Sequence, residues 1–269
     1  SISTGLACHC SYEEAAISGI CEVIERDAFT IFWQAMISPP QLRIETLSDS
    51  NYDLVRRLEC SGGKITMLDI TTDLKVPCVL SVLSSDRSSS PALVFAASAS
   101  LDPEEAARKS LEEVAHTRRY AQLIKTKMAP VISQPPNHAN ITNQEGHLGF
   151  WANHDHAQYA EFVFSSDKRI GFSELNKLAT NNTTADLKLL CEMVNNLGHR
   201  VLIADLTTSD VKDLGLFVLH ALIPGFHPLY MGYPIRSLGG KRLWTVPQKL
   251  GYKGINLETG DNPYPHPYP

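Results

Sequence analysis

The sequence predicts a mixed chain of the α/β or α+β class with mostly antiparallel strands. Three observations carry that expectation: two long helices opened by capping signals, short Val-, Ile- and Leu-rich runs bounded by turn residues, and a 43% hydrophobic content over 269 residues. A chain of this size buries a substantial core, in one large domain or two small ones.

Ser11-Tyr12-Glu13-Glu14 is a capping box, in which hydroxyl and carboxylate satisfy the free N–H groups of a first turn, so a helix is expected from about Tyr12 towards Met36. Ile65 to Ile70, Val76 to Leu83 and Ala92 to Ser98 follow as strands, separated by turn-formers such as Gly62-Gly63 and Ser88-Ser89-Ser90. Asp102-Pro103-Glu104-Glu105 opens a second long helix, with proline at the position where a missing N–H costs nothing, running to about Lys125. Met128 to His147, with Pro130, Pro135 and Pro136, shows neither period and reads as an irregular surface excursion. Phe162 to Phe164 reads as a strand, Thr184 to Leu197 as a helix ended by Gly198, and Val201 to Leu206 and Leu214 to Leu222 as two more strands before Pro224-Gly225.

Composition excludes several classes of function. A net charge of -5 without a Lys/Arg cluster is not the electrostatic footprint of a nucleic-acid binder. The longest apolar stretch, Leu214 to Phe226, contains His220 and Pro224 and falls short of the roughly 20 residues that span a bilayer, so a soluble chain without a membrane partner is expected. Six cysteines (Cys8, Cys10, Cys21, Cys60, Cys78, Cys191) lack disulfide-framework spacing, which fits a reducing cytoplasm. Ser1 is not an initiator Met and no signal peptide follows, so a fragment or processed product is expected.

Laying the first helix on the second aligns Glu13, Glu14, Ala15, Ala16, Glu22 and Val23 with Glu104, Glu105, Ala106, Ala107, Glu113 and Val114. Shared capping explains the opening residues but not Glu22 and Glu113 in register, which favours internal duplication. Ser18, Glu22, Glu25 and Arg26 share one face of an otherwise apolar helix, and Glu113, His116 and Arg118 take the corresponding face of the second. Paired acidic faces suit Mg²⁺ beside a phosphate; a solvated face with ordinary intrahelical ion pairs explains the spacing equally well. Cys8-His9-Cys10 and His154-Asp155-His156 lack zinc-site spacing, and neither a GxGxxG nor a GxxxxGK[ST] loop is present.

Ser3-Thr4-Gly5-Leu6-Ala7 followed by Ser18-Gly19-Ile20-Cys21-Glu22-Val23-Ile24-Glu25-Arg26 resembles the first ATP-binding motif of the YcaO family, Ser-x-x-x-Glu-x-x-Glu-Arg. Leu101 to Arg118 resembles the second motif, with Glu113 as its metal-binding Glu and His116 where the family carries Gln or Glu. Ile223-Pro224-Gly225-Phe226 with Arg236 resembles a later Pro-Gly segment, and the ending Pro263-Tyr264-Pro265-His266-Pro267-Tyr268-Pro269 resembles the Pro-x-Pro-x-Pro terminus of azoline-forming members.

The resemblance implies a YcaO catalytic domain over 1–269, built of pseudo-duplicated strand-helix units, with an N-terminal portion missing and a Pro-rich tail at 263–269. It implies the cyclodehydratase (D protein) of thiazole/oxazole-modified peptide and bacteriocin biosynthesis, which uses ATP and Mg²⁺ to convert Cys, Ser or Thr of a ribosomal precursor peptide into azolines. Glu22, Glu25 and Glu113 would hold metal. Ser3, Ser18, Arg26, His116, Arg118 and Arg236 would join them in binding the nucleotide, and Pro265, Pro267 and Pro269 would act in the chemistry. A peptide-presenting recognition protein (C protein) and a homodimer are the implied partners. The tail is expected to act in chemistry and not in folding, so that deleting it leaves stability nearly unchanged. Thioamide or amidine formation, an accessory role in ribosomal-protein methylthiolation, and a non-catalytic peptide-docking scaffold are the alternatives.

Overall fold

The computed structural model describes residues 3–133, 138–258 and 260–268; Ser1, Pro135, Pro136 and Pro269 lie outside the described residues. In chain order the elements are β1 (Leu6–His9), α1 (Tyr12–Gln34), β2 (Gln41–Leu42), α2 (Asp49–Glu59), β3 (Lys64–Asp69), β4 (Cys78–Ser84), β5 (Leu93–Ala99) and α3 (Pro103–Lys127). There follow α4 (Gln144–Ala152), α5 (Glu161–Phe164), β6 (Arg169–Ile170), α6 (Thr183–Asn196), β7 (Leu202–Asp205), α7 (Ser209–Asp213), β8 (Phe217–Leu222) and α8 (Lys241–Lys249). The class is α+β.

Two sheets form, of order β5-β4-β3-β2-β6 and β1-β8-β7. Among the described residues every strand pairing is antiparallel except β2 with β6. Both long helices start as expected, with Ser11 Oγ accepting from Glu14 N and Asp102 capping Glu104 N. Each follows directly from the edge strand of an antiparallel trio, β1-β8-β7 for α1 and β5-β4-β3 for α3, so the aligned helices occupy corresponding places in two similar units.

The larger sheet is buried on both faces, which explains why β4 and β5 read as continuous apolar runs. Alternate side chains obey the period of two: Leu80, Val82, Phe95 and Ala97 face α1, while Val79, Leu83, Val94 and Ala96 pack on Ala106, Ala107, Leu111 and Val114 of α3. Ser81 and Ser110 pair at 2.8 Å across that second interface, satisfying two hydroxyls that would otherwise be buried unpaired.

α1 touches β1 and β8 on one side, β5 on another, and also α6 and α8. It is therefore buried nearly all round from Gly19 to Gln34, which explains its mostly apolar composition. Its approach to β1 depends on glycine. Gly5 has φ +88°, and a Cβ there would lie 2.1 Å from the Ala221 carbonyl; a Cβ on Gly19 would lie 2.5 Å from the Gly5 carbonyl.

Three expectations fail. Phe162 to Phe164 lies within a short helix, because Val163 turns into the core where a helical turn packs it. The segment from Met128 to His147 is not simply a surface excursion: His138, Ile141 and His147 are each 0% exposed, and α4 begins at Gln144. The Pro-rich tail is also part of the fold. Pro265, His266, Pro267 and Tyr268 are buried. The indole N–H groups of Trp33 and Trp151 donate to the carbonyls of Tyr264 (3.2 Å) and Pro265 (2.9 Å), and Asn262 bonds the end of α1 through Trp33 O and Gln34 O. A segment whose carbonyls satisfy buried indoles cannot leave without exposing those donors to an apolar core.

Candidate functional site

Between α1 and α3 lies a cleft of about 600 Å³. Helical spacing builds its two walls: α1 contributes Ser18, Glu22 and Arg26 at four-residue intervals with Cys21 and Glu25 beside them, and α3 contributes Glu105, Lys109 and Glu113 at the same interval. Ser98 and Ser100 at the end of β5, Thr183 and Asp186 at the start of α6, and His9, Glu14 and Asp102 add polar groups to the lining.

Arg26 is the electrostatic centre. Its guanidinium lies 3.5 Å from Glu22 Oε1 and 3.4 Å from Glu25 Oε1, and its Cζ stands 4.3 Å over the Tyr268 ring. Glu22 is fixed from its other side by the Gly5 N–H at 3.1 Å, so the close approach that requires glycine also positions this carboxylate. Glu25 is 6% exposed and accepts from the Tyr268 hydroxyl at 2.5 Å; that hydroxyl also lies 3.1 Å from the Ala97 carbonyl.

Burial pushes the Glu25 carboxyl up to about 7, with Arg26 opposing, Glu113 and Glu22 adding repulsion, and the Tyr268 bond opposing. Burial likewise raises Glu113, against the pull of Arg26 and with the repulsion of Glu22. These carboxylates repel one another through space, so one guanidinium among them leaves negative charge undercompensated.

That excess, and the carboxylate oxygens of Glu22, Glu25 and Glu113, fit a hard divalent cation. Among the described residues no group of three acidic, imidazole or thiol side chains is close enough to cage a metal alone. A cation bound here would complete its shell with water and phosphate oxygens, which is how Mg²⁺ is commonly held. Arg26 Nη1, the nitrogen 3.4 Å from Glu25 Oε1, is buried and makes no hydrogen bond among the described residues, which leaves it able to donate to an anionic group in the cleft.

The structure brings together Ser18, Glu22, Glu25, Arg26 and Glu113 from the sequence reading. His116 is exposed on α3, and neither it nor Arg118 lines the cleft. Arg236 lies 3.2 Å from Asp261 and over the Tyr233 ring, and Ser3 sits in the turn before β1; neither reaches the lining. Pro265 and Pro267 carry the chain into the core on the way to Tyr268. Lys109 and Tyr268 were missed. The i, i+4 spacing to Glu113 would have found the lysine; a tyrosine between prolines has no periodicity to betray it.

Comparison with known proteins gives the family and the fold. A family model described as YcaO cyclodehydratase, with ATP and Mg²⁺ binding, matches residues 1–227. The chain is 28% identical over 246 residues to an uncharacterized protein of Methanothermobacter thermautotrophicus, covering 87% of this chain and 59% of that protein. A heterocyclase solved in complex with substrate and cofactor superposes with a TM-score of 0.78 at 22% identity, covering 99% of this chain and 33% of that chain. YcaO from Methanopyrus kandleri bound with AMPPCP and Mg²⁺ gives 0.65 at 23% identity, covering 84% of this chain and 56% of that one. The chain thus spans less than two thirds of the length of each of these proteins. With the family model covering most of its length and the acidic cleft in place, the chain belongs to the YcaO family, whose cofactors are ATP and Mg²⁺.

Proposed function

We propose that this chain is the catalytic part of an ATP-dependent cyclodehydratase that converts Cys, Ser or Thr residues of a ribosomal precursor peptide into thiazolines or oxazolines. The observation that carries the reading is the acidic cleft between the paired helices, joined at Glu25 by the tail residue Tyr268. Membership of a cyclodehydratase family and likeness to a heterocyclase fold support it.

Glu22, Glu25 and Glu113 would hold Mg²⁺, which supplies charge neutralisation on the phosphoryl group being transferred. Arg26 would direct Nη1 at the same phosphate, and Ser18 would contact the nucleotide from the preceding turn of α1. The substrate thiol or hydroxyl adds to the preceding backbone carbonyl carbon and loses its proton. The carbonyl oxygen, made a leaving group by phosphorylation, departs in the phosphate as the amide nitrogen gives up its proton and the C=N bond forms. The balance is one ATP to ADP and phosphate, and one water removed from the peptide. Pro265, Pro267 and Pro269 would serve this chemistry by aligning the chain end with the cleft, since proline fixes φ and little entropy is lost on docking.

The partners follow from the same reading: a precursor peptide, a recognition protein (C protein) that presents it, and a second copy in a homodimer. Two thirds of the matched heterocyclase lie outside the similarity, which leaves room for peptide recognition by residues other than these. In this reading the enzyme works in the cytoplasm; among the described residues no helix is long and apolar enough to cross a membrane.

The test is incubation of the protein with Cys- and Ser-containing peptides, ATP and Mg²⁺, with mass spectrometry of the peptides and assay of released phosphate. Loss of water matched by ATP hydrolysis is the expected result. Exchange of one peptide oxygen for sulfur, when sulfide is added to the same mixture, would move the activity to thioamide formation, and peptide binding without ATP consumption would leave a docking scaffold.

A further inference from the structure

A second cavity, of about 560 Å³, opens at the start of α8, away from the acidic cleft. Its lining includes His227, Lys241, Arg242, Lys249 and Asp73. Lys241, Arg242 and Lys249 gather here against Asp73 and the buried Asp27; Arg242 bridges both carboxylates and Lys249 pairs with Asp73 at 3.1 Å, which leaves Lys241 as the excess cation among the described residues.

Two buried groups point to a ligand. Arg242 is 5% exposed; its Nε and Nη2 are committed to Asp27 and Asp73 at 2.8–3.0 Å, which fixes the guanidinium plane, while Nη1 makes no hydrogen bond among the described residues. His227 is 3% exposed. Its backbone N–H donates to Asp27 (2.7 Å) and its Nδ1–H to the Pro228 carbonyl (3.2 Å), leaving Nε2 buried without a partner among the described residues. The unpaired edge faces Gly240, where a Cβ would lie 2.7 Å from Cδ2 and 3.1 Å from Nε2. Gly240 is also the N-cap of the nine-residue α8 and offers no side chain to the first-turn N–H groups. The N–H groups of Lys241 and Arg242 at the helix start (that of Leu243 bonds the Gly240 carbonyl at 3.1 Å), a guanidinium nitrogen and an ammonium together describe an oxyanion site.

We propose that this cavity binds a phosphate group, either free inorganic phosphate or the phosphoryl end of a small molecule. The hydrogen bonding of His227 chooses among oxyanions: with Nδ1 donating to the Pro228 carbonyl, Nε2 is the ring atom left to accept. A phosphate that retains one proton donates P–OH to it, while the other oxygens accept from Arg242 Nη1, Lys241 and the first N–H groups of α8. Sulfate and carboxylates have no such proton near neutrality, inorganic phosphate keeps one, and a phosphate monoester, with a second pKa of about 6, donates here only as its monoanion, taking up a proton as it binds. The site does not depend on the reading of the acidic cleft.

Titration of the ¹⁵N-labelled protein with inorganic phosphate at neutral pH, without Mg²⁺, is the test. Saturable shifts confined to the amides of His227 and of Gly240 to Leu243 are expected, unchanged in Glu22→Gln and weakened about tenfold in Lys241→Glu, as loss of one charge-assisted contact implies. A glutamate at the first position of α8 favours the helix, so lost binding in that variant cannot be ascribed to unfolding. Adenosine monophosphate separates the sources: tighter binding than phosphate at these amides identifies a phosphorylated small molecule, equal binding identifies free phosphate, and both support the site. Absence of saturable shifts there, equal affinity in Lys241→Glu, or sulfate binding as tightly as phosphate would overturn it.

Discussion

At the scale of single residues, the cleft is built from charges that are costly apart. Glu22→Gln and Glu113→Gln should each weaken Mg²⁺-ATP binding by about tenfold or more, the loss of one charge-assisted contact of roughly 1.5–3 kcal/mol. Calorimetric titration of folded variants measures this, and unchanged affinity in both would remove the metal assignment. Tyr268→Phe keeps the ring under Arg26 but removes the hydroxyl that serves Glu25 and Ala97, so about 1–3 kcal/mol of stability should go, read by denaturant unfolding. Ser18, Glu22, Glu25 and Arg26 were legible because they share a helical face, and Glu113 because it is in register with Glu22. Thr183 and Asp186 were not, because they enter the cleft from the start of a helix far along the chain, where no spacing rule relates them to α1.

Among the elements, the capped helices and the strands of the larger sheet could be read because local signals and burial agree there. The tail could not, since alternating prolines describe a stiff extended segment without saying what it lies against. Deleting residues 265–269 strips carbonyls from Trp151 and His147 and removes buried Tyr268, so the melting temperature should fall by on the order of 10 °C. Scanning calorimetry decides between this and a free linker. Appending two residues after Pro269 keeps Tyr268 in place, so loss of ring formation with an unchanged melting temperature would isolate a chemical role for the chain end. The tail also carries a pH dependence. His147 stacks on His266 at 3.9 Å, and burial holds the His147 imidazole down to about 4 from an ordinary 6.5. The folded chain thus binds fewer protons than the unfolded one, so this contribution is full above pH 6.5 and is lost as pH falls towards 4, on the order of 3 kcal/mol. In His147→Leu the fall in melting temperature between pH 7 and pH 5 should be smaller than in the parent, even if the variant starts lower; an identical slope would place the acid sensitivity elsewhere.

Across the whole molecule, the repeat seen as six identities in two helices corresponds to two antiparallel trios, each feeding a long helix from its edge strand. Sequence alone could not show how the two are joined, because the join is made by side chains distant in the chain: Arg26 of α1 near Glu113 of α3, and Tyr268 against Glu25. A ligand in the cleft would touch both helices at once, so its binding energy opposes separation of the two units as well as local fraying. Saturation with Mg²⁺ and a non-hydrolysable ATP analogue at about 100 times the dissociation constant should add roughly 2.7 kcal/mol to stability, a rise of several degrees in melting temperature for a chain of this length. The effect should require both components, because the carboxylates around Arg26 repel a polyphosphate that arrives without its cation. Thermal unfolding with nucleotide alone, Mg²⁺ alone and both together provides the measurement. Stabilisation by nucleotide alone equal to that of the pair would mean that Glu22, Glu25 and Glu113 are not where the metal enters, and an identical rise in Glu113→Gln would mean that the ligand engages α1 without bridging to α3.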